Sequence, residues 1–406
     1  MTSQRPLTLI LLVLTGGFLV SQAFRTVAGI LATPLQADFG LDKAALGQFG
    51  SAFHFAFGAM QLFVGIGIDR SGVRRTMLAV FPLAILGATL SALASGFPML
   101  VIGQVLIGLG CAPAFLVCTV FIARHYPAEK FAAVSGLTMA FGGLGMLLTG
   151  TPMAWLIEMG GWRMGFVALA LASALAWVLV WAMVHEPQRA APQPAAKETL
   201  REALGKFAAL MAMPHFWGIL VLASVGYASF LAMRGLWMSP MLIERHQFSL
   251  VQAGNVALIM SFISLFGPPL FGRLDPGPAR RRSWLAGYTL VMAALYGVYA
   301  LAGSVWVDVA SPIVIGLLSG YLVLQYSDVR DAFPASMTGR ALSLFTMVMF
   351  LGVAVVQWLT GTVAAMAIER GMDPYRAVLL FIALLLVLGA LALKVLPELQ
   401  QQRQGT

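Results

Sequence analysis

Apolar stretches of about 20 residues recur along the whole chain, separated by short polar segments. A helix of about that length crosses a ~30 Å hydrocarbon core. The pattern therefore predicts an all-α membrane protein with twelve transmembrane helices. The expected spans are 7–33, 44–68, 76–95, 98–123, 131–156, 163–184, 216–243, 251–273, 283–303, 309–327, 341–367 and 374–396.

One long polar stretch, 185–214, interrupts this pattern. It begins as a segment rich in Pro and Ala and continues as a predicted amphipathic helix, with Leu200, Leu204, Phe207 and Met211 on one stripe. Because six spans precede the stretch and six follow it, we expect three parts. These are an N-terminal six-helix bundle (1–184), a cytoplasmic linker (185–214) and a C-terminal six-helix bundle (215–406).

Landmarks of the first half recur in the second half at a nearly constant distance. Asp69 and Asp275 are 206 residues apart, and "GIGIDRSGVRR" around the first corresponds to "FGRLDPGPARRR" around the second. Arg25 and Arg234 are separated by 209 residues, each on the first span of its half. Such a repeat predicts two pseudo-symmetric bundles, and transporters built this way hold their substrate between the halves near the bilayer midplane.

The distribution of charged residues predicts how the chain is oriented in the membrane. The chain is 60% hydrophobic and 10% charged, with a net charge of +9. Eighteen Lys and Arg residues map to the side that carries both termini, and five map to the opposite side. The positive-inside rule then predicts a multi-pass protein of the cytoplasmic (inner) membrane with both termini in the cytoplasm. The positive charge is topological, so a nucleic-acid partner is not expected.

The segment "GIGIDRSGVRR" resembles the signature of the loop between helices two and three in the major facilitator superfamily (MFS). The resemblance implies the MFS fold, secondary transport by alternating access, and a gate at the cytoplasmic side. Gly65 would permit close helix approach and Gly72 a tight turn, while Asp69 would face the start of span eleven near Arg340. The gating residues implied in this way are Gly65, Asp69, Arg70, Gly72, Arg74, Arg75, Asp275 and Arg340.

Arg25 and Arg234 are the two basic residues that fall within spans. A charge in mid-membrane costs at least ~2.5–3.5 kcal/mol, and such residues usually belong to a substrate path or a paired site. All sixteen acidic residues map to loops or span ends, so no carboxylate is expected beside either arginine. Two uncompensated guanidinium groups in one cavity favour an anionic substrate. The alternative is that each bonds backbone carbonyls or reaches an interface.

The stretch "FRTVAGILATPLQADFG" resembles the first helix of organophosphate:phosphate antiporters and of vesicular glutamate or sialic-acid carriers. "MRGLWMSPML" is a looser match to their seventh helix. The resemblance implies that Arg25 and Arg234 bind substrate. Transport would be driven by a co-transported proton, which His54 or the substrate would carry, or by an exchanged anion. Helical spacing adds further polar residues as candidates for the substrate site. The added residues are His54, Gln61, Tyr227, Trp237, Tyr321 and Gln357.

Two other kinds of transporter remain open. A copper importer of the same superfamily would use Met233, Met238 and Met260, with Cys111 and Cys118 as further soft ligands, but the expected Met and His spacing is broken. A drug or metabolite exporter usually needs a membrane carboxylate. No nucleophile–base pair appears in the loops, so we expect neither an enzyme nor a cofactor. The expected partners are a small-molecule substrate and the lipid bilayer, and the expected assembly is a monomer.

Overall fold

The computed structural model describes residues 6–185 and 200–397, and the regular structure of these residues is helical. The first half contains α1 Leu7–Phe39, α2 Lys43–Val80, α3 Pro82–Ala92, α4 Phe97–Cys111, α5 Pro113–His125, α6 Ala128–Leu148 and α7 Thr151–Met183, and α8 Leu200–Met211 follows. The second half contains α9 Pro214–Ala232, α10 Met238–His246, α11 Leu250–Ser264, α12 Gly267–Arg273, α13 Pro278–Ala302, α14 Val305–Leu318, α15 Val323–Ala332, α16 Ala335–Glu369 and α17 Pro374–Val395. A π-helical segment, Met233–Trp237, joins α9 to α10, and a 3₁₀ segment, Ser319–Leu322, joins α14 to α15.

Eleven helical runs in the described part of the chain are long and apolar enough to cross a membrane. One of them, Ala133–Met183, has 51 residues and would extend about 75 Å if straight. It is interrupted at Gly161, whose φ of 76° lies in the left-handed region that favours glycine. The run therefore accounts for two crossings, and the pattern of twelve spans agrees with the structure.

The helices begin and end at the residues that local chemistry favours. Asp42 and Asp373 accept hydrogen bonds from backbone N–H groups in the first turns of α2 and α17, and Ser249 forms a capping box with Gln252 at α11. Several other helices start with proline in the first turn, where the missing N–H has no partner to lose. Short connections between long apolar helices follow from these caps.

The helix bundle has two opposite faces, which the ends of the helices define. The terminal face is the side at which α1 begins and α17 ends, and the far face is the side at which α1 ends and α2 begins. At the terminal face Gly72 has a φ of 82° and separates the second span from the third within α2. α8 precedes α9 in the chain, and its Phe207 and Met211 are half-buried. The side chains of Leu200 and Leu204, and residues 186–199, fall outside the described structure.

Three groups of helix contacts join the described parts of the two halves. α2 packs along α16, α1 packs against the π-helical segment and α10, and α11 packs against α6 and α7. Glycines allow close contact on these helix pairs. A Cβ atom at Gly29 would lie 3.1 Å from the carbonyl oxygen of Arg234, and one at Gly47 would lie 2.8 Å from the Cα atom of Gly361. These contacts place Arg25 and Arg234 on helices that touch each other.

Candidate functional site

Arg25 lies in the middle of α1, which extends to Phe39 and is longer than the sequence pattern suggested. Only 6% of the residue is exposed, and its Nε atom has no hydrogen-bond partner. The guanidinium carbon lies 4.6 Å from the ring centre of Phe57 on α2 and 4.7 Å from that of Phe350 on α16. Two aromatic rings, one from each half, thus stabilise this cation in place of a carboxylate.

Arg234 lies in the π-helical segment and is fully buried. Its Nε donates to Ser261 Oγ at 2.8 Å, and one terminal nitrogen donates to the Met146 carbonyl at 2.8 Å and to Thr149 Oγ1 at 3.3 Å. The other terminal nitrogen is buried without a partner. The backbone-carbonyl alternative is therefore realised on one arm of Arg234, while the other arm remains available.

The break between α6 and α7 explains why that carbonyl is available. The last carbonyls of a helix have no partner within it and carry partial negative charge, and Met146 stands in the last turn of α6. Thr149 lies in the break, and its hydroxyl also forms a hydrogen bond with the hydroxyl of Thr26, the residue after Arg25, with 2.6 Å between the two oxygen atoms. Two hydrogen bonds therefore link the Thr26 hydroxyl on α1, through Thr149, to the side chain of Arg234.

His54 and Gln357 meet between α2 and α16. His54 Nδ1 lies 3.0 Å from Gln357 Oε1 and 3.1 Å from the carbonyl oxygen of Gly50. The Nε2 atom of the same ring is buried and has no partner. Gln357 Nε2 donates to the Leu231 carbonyl at 3.5 Å, so the amide bridges both halves. These two predicted residues therefore interact directly.

The remaining predicted side chains lie at different distances from this cluster. Tyr227 packs edge-on against Phe350, with ring centres 5.7 Å apart, and Trp237 donates to Thr360 Oγ1, one turn beyond Gln357. Gln61 donates to the carbonyls of Phe57 and Ala112. Tyr321 instead shares a 2.9 Å hydrogen bond with Thr289 and stacks on Tyr288 within the C-terminal half, and it makes no hydrogen bond or ring contact with the cluster.

Four side chains that complete the cluster were not predicted from the sequence. Phe57 and Phe350 contact Arg25, and Thr149 and Ser261 bond Arg234. Helical spacing could have identified the two aromatic residues, because Phe57 follows His54 by three positions and Phe350 precedes Gln357 by seven. Thr149 and Ser261 carry no such signal, since they lie on other spans and are ordinary residues of apolar helices.

The side chains expected for copper are all buried. Met233, Met238 and Met260 have no exposed surface, and the Cys118 thiol donates to the Ala114 carbonyl. Ser21 donates to the Cys111 backbone carbonyl. Within residues 6–185 and 200–397, no group of three or more His, Cys, Asp or Glu side chains stands close enough together to hold a metal ion.

The predicted gating residues lie at the terminal face. Arg74 donates to the Trp181 carbonyl at 2.8 Å, whereas Arg70 and Arg75 are exposed. The side chain of Asp69 lies outside the described structure. The close helix approach expected at Gly65 is not seen among the described residues, because none of their atoms lies within 4 Å of the position that its Cβ would take. Close packing on α2 occurs instead at Gly47, nearer the far face.

The second copy of the motif forms an ion-pair network. Asp275 accepts from Arg281, with 2.8 Å between Oδ2 and the nearer terminal nitrogen, and Arg281 also contacts Asp331 at 2.6 Å. The hydrogen bonds from Arg281 hold the pKa of Asp275 below its usual range. Arg340, at the start of α16, lines a small groove with Lys206 and Leu210 of α8.

Comparison with known proteins agrees with the resemblance to the major facilitator superfamily. Residues 13–356 match the sequence profile of the Major Facilitator Superfamily. The chain is 31% identical over 210 residues to a gallate transporter of Pseudomonas putida, covering 49% of this chain and 44% of the relative. It is 26% identical over 203 residues to a hexuronate transporter of Bacillus subtilis (50% and 46%) and 24% identical over 156 residues to a probable sulfoacetate transporter of Cupriavidus necator (38% and 36%). Each match thus spans less than half of the relative's length.

Solved structures extend the likeness to the whole fold. A bacterial homologue of the lysosomal transporter Spinster, in an inward-facing and occupied conformation, superposes with a TM-score of 0.75 at 17% identity, covering 97% of both chains. A D-xylose–proton symporter gives a TM-score of 0.73 at 17% identity, covering 96% of this chain and 98% of the other. The profile match shows that the chain belongs to the Major Facilitator Superfamily, whose members are multi-pass membrane transporters, and the solved structures show the same fold.

Proposed function

We propose that the protein is a secondary active transporter that moves a small organic or inorganic anion by alternating access, with Arg25 and Arg234 as its main substrate-binding residues. One observation carries the proposal. The two arginines lie on elements that touch, α1 and the π-helical segment, and both side chains are buried. Each guanidinium group keeps a nitrogen without a partner, and neither is paired with a carboxylate of the described residues.

The energetics favour an anion at this place. Each buried cation costs at least ~2.5–3.5 kcal/mol in a membrane helix. The rings of Phe57 and Phe350 and the carbonyl of Met146 offset part of this cost but bring no full negative charge. A carboxylate, sulfonate or phosphate would supply that charge, and the planar guanidinium binds such groups through two parallel hydrogen bonds.

The relatives support the same class of cargo. Three of them are named as transporters of gallate, hexuronate and, as a probable assignment, sulfoacetate, all of which are organic acids. Identities of 24–31% over half of the chain or less support a class of substrate and no particular member of it.

We also propose an orientation and a division of the chain. The sequence assigns eighteen of the Lys and Arg residues to the side of the two termini, and by the positive-inside rule we place this side in the cytoplasm, at the inner membrane. Residues 1–184 and 215–406 form the two bundles, 185–214 is the cytoplasmic linker, and the carrier acts as a monomer.

Uptake by proteoliposomes tests the proposal. The panel comprises labelled gallate, D-glucuronate, sulfoacetate, nitrate and phosphate, with D-xylose as a neutral solute and Cu(I) as a metal. We expect saturable uptake of at least one anion and a loss of at least 10-fold in Arg25→Gln and Arg234→Gln. Arg370→Gln, which alters an exposed far-face arginine, is the matched control and should transport like the wild type. Uptake of xylose or Cu(I) alone, or anion uptake that both core variants retain, would refute the proposal.

A further inference from the structure

The hydrogen bonds of His54 define its tautomer. Nδ1 lies within reach of two oxygen atoms, the Gly50 carbonyl at 3.1 Å and Gln357 Oε1 at 3.0 Å. Both are acceptors, because the nitrogen of the same amide is turned to the Leu231 carbonyl. The network therefore assigns the ring hydrogen to Nδ1, which donates, and leaves Nε2 with a free lone pair.

This lone pair lies inside the proposed site. His54 is 2% exposed, and Nε2 has no hydrogen-bond partner. On the helices packed against α2, the charged groups nearest the middle of the membrane are Arg25 on α1 and Arg234 in the π-helical segment. α16 contributes the neutral Gln357, and α4 contributes the buried thiol of Cys111. Nε2 is thus a buried base that lies among neutral groups and within the electrostatic reach of Arg25.

We propose that His54 Nε2 binds the proton that is transported together with the anion. The inference rests on the proposed anion transport and names its coupling ion. In the empty site, a positive imidazolium would add a third cation to Arg25 and Arg234, so the ring stays neutral. An anion between the arginines offsets that repulsion and favours protonation. By linkage, the bound proton strengthens anion binding by the same factor.

The charge balance of the cycle follows from this arrangement. The empty site carries two positive charges, from Arg25 and Arg234. A monovalent anion together with one proton on His54 adds no net charge. The binding site therefore has the same charge when it reorients loaded and when it reorients empty. Symport of a monovalent anion with one proton is therefore expected to be electroneutral, and a membrane potential alone should not drive it.

Proton uptake on anion binding tests the inference directly. The purified full-length protein in weakly buffered solution at pH 7 is mixed with nitrate or sulfoacetate, and an indicator dye reports the bulk pH. Nitrate is not protonated at this pH, so the anion itself cannot account for a proton. We expect the wild type to take up as much as about one proton per bound anion. His54→Gln should bind the anion more weakly, as measured by tryptophan fluorescence, and its proton uptake per bound anion should be reduced at least 10-fold.

His125 offers a matched control. Its Nδ1 contacts the carbonyl four residues earlier, Phe121, at 3.0 Å, as His54 does with Gly50, but it lies at the terminal end of α5. His125→Gln should therefore take up protons like the wild type. If His54→Gln does not fold, His54→Asn supplies an amide that can replace the Nδ1 donor and serves as the second variant.

Each outcome decides something. Unchanged proton uptake in a folded His54 variant, or anion binding by the wild type without proton uptake, overturns the inference and leaves anion transport standing. Failure of the wild type to bind or transport any anion of the uptake panel overturns the proposed function, and this inference with it. In proteoliposomes the supporting result is accumulation driven by an inside-alkaline pH gradient, lost in His54→Gln while anion exchange persists.

Discussion

At the scale of single residues, Arg25 combines a charge with a planar shape. Its guanidinium contacts Phe57 and Phe350 and keeps Nε free of any partner. An ammonium group has the same charge, but it cannot present two parallel donors to an oxyanion. We expect Arg25→Lys to fold and to lose anion uptake by about 10-fold or more, since hydrogen bonds to charged groups contribute about 1.5–3 kcal/mol. Initial uptake rates measure this loss.

A conservative substitution elsewhere shows whether the effect belongs to the site. Arg370→Lys on the exposed far face should leave uptake unchanged. Uptake by Arg25→Lys at the wild-type rate would mean that charge alone matters at this position, and that the fork geometry does not.

Sequence reasoning could locate the arginines but not their surroundings. A charged residue in an apolar run stands out in any sequence, and helical spacing relates His54 to its own helix. The contacts of His54 with Gln357 and of Arg25 with Phe350 join different halves of the chain, and the contact of Arg25 with Phe57 joins two helices of the first half. Such contacts depend on the rotation and depth of α2 against α16, which no local pattern encodes.

At the scale of helices, Gly47 controls how closely α2 and α16 approach at the far face. A Cβ atom there would lie 2.7 Å from the Gln357 carbonyl oxygen and 2.8 Å from Gly361 Cα, both of which are backbone atoms. Gly47→Ala therefore has to push the two helices apart. We expect a lower thermal midpoint and a population shifted toward a far-open state.

The shift can be measured at Ser239, which is buried on α10. In a background with Ser239→Cys, Gly47→Ala should raise the labelling rate by a membrane-impermeant maleimide several-fold. Gly297→Ala on α13, where nothing lies within 4 Å of the new methyl group, is the control and should leave labelling unchanged. Equal labelling in both variants would show that Gly47 does not hold the far face closed.

Two glycines show that a sequence motif can indicate a local turn but not a contact between helices. The signature correctly indicated a tight turn at Gly72, where φ is 82°, since a turn is a local property. The same motif placed close packing at Gly65, where the structure has open space. Whether a glycine meets another helix depends on what lies opposite, and this is settled by tertiary packing.

At the scale of the whole molecule, span number and fold class followed from hydropathy, because the membrane requires long apolar helices with internally bonded backbones. The relation between the halves did not follow from it. At the far face, Lys43 of the first half contacts the second half: it is 5% exposed and donates to Glu244 Oε1 at 2.6 Å and to the Tyr375 hydroxyl at 2.8 Å. A polar residue at a span end gave no sign of this partner 201 positions away.

Alternating access requires this ion pair to break in every cycle, so charge reversal should control the far face. Lys43→Glu places two carboxylates together, and we expect it to favour the far-open state and to raise Ser239→Cys labelling about 10-fold, as loss of a charged hydrogen bond implies. Glu244→Lys should act in the same direction. The double variant restores an ion pair with its polarity exchanged and should return labelling toward the wild-type rate, although Tyr375 loses its donor. Additive effects in the double variant would mean that the two side chains do not act as one lock.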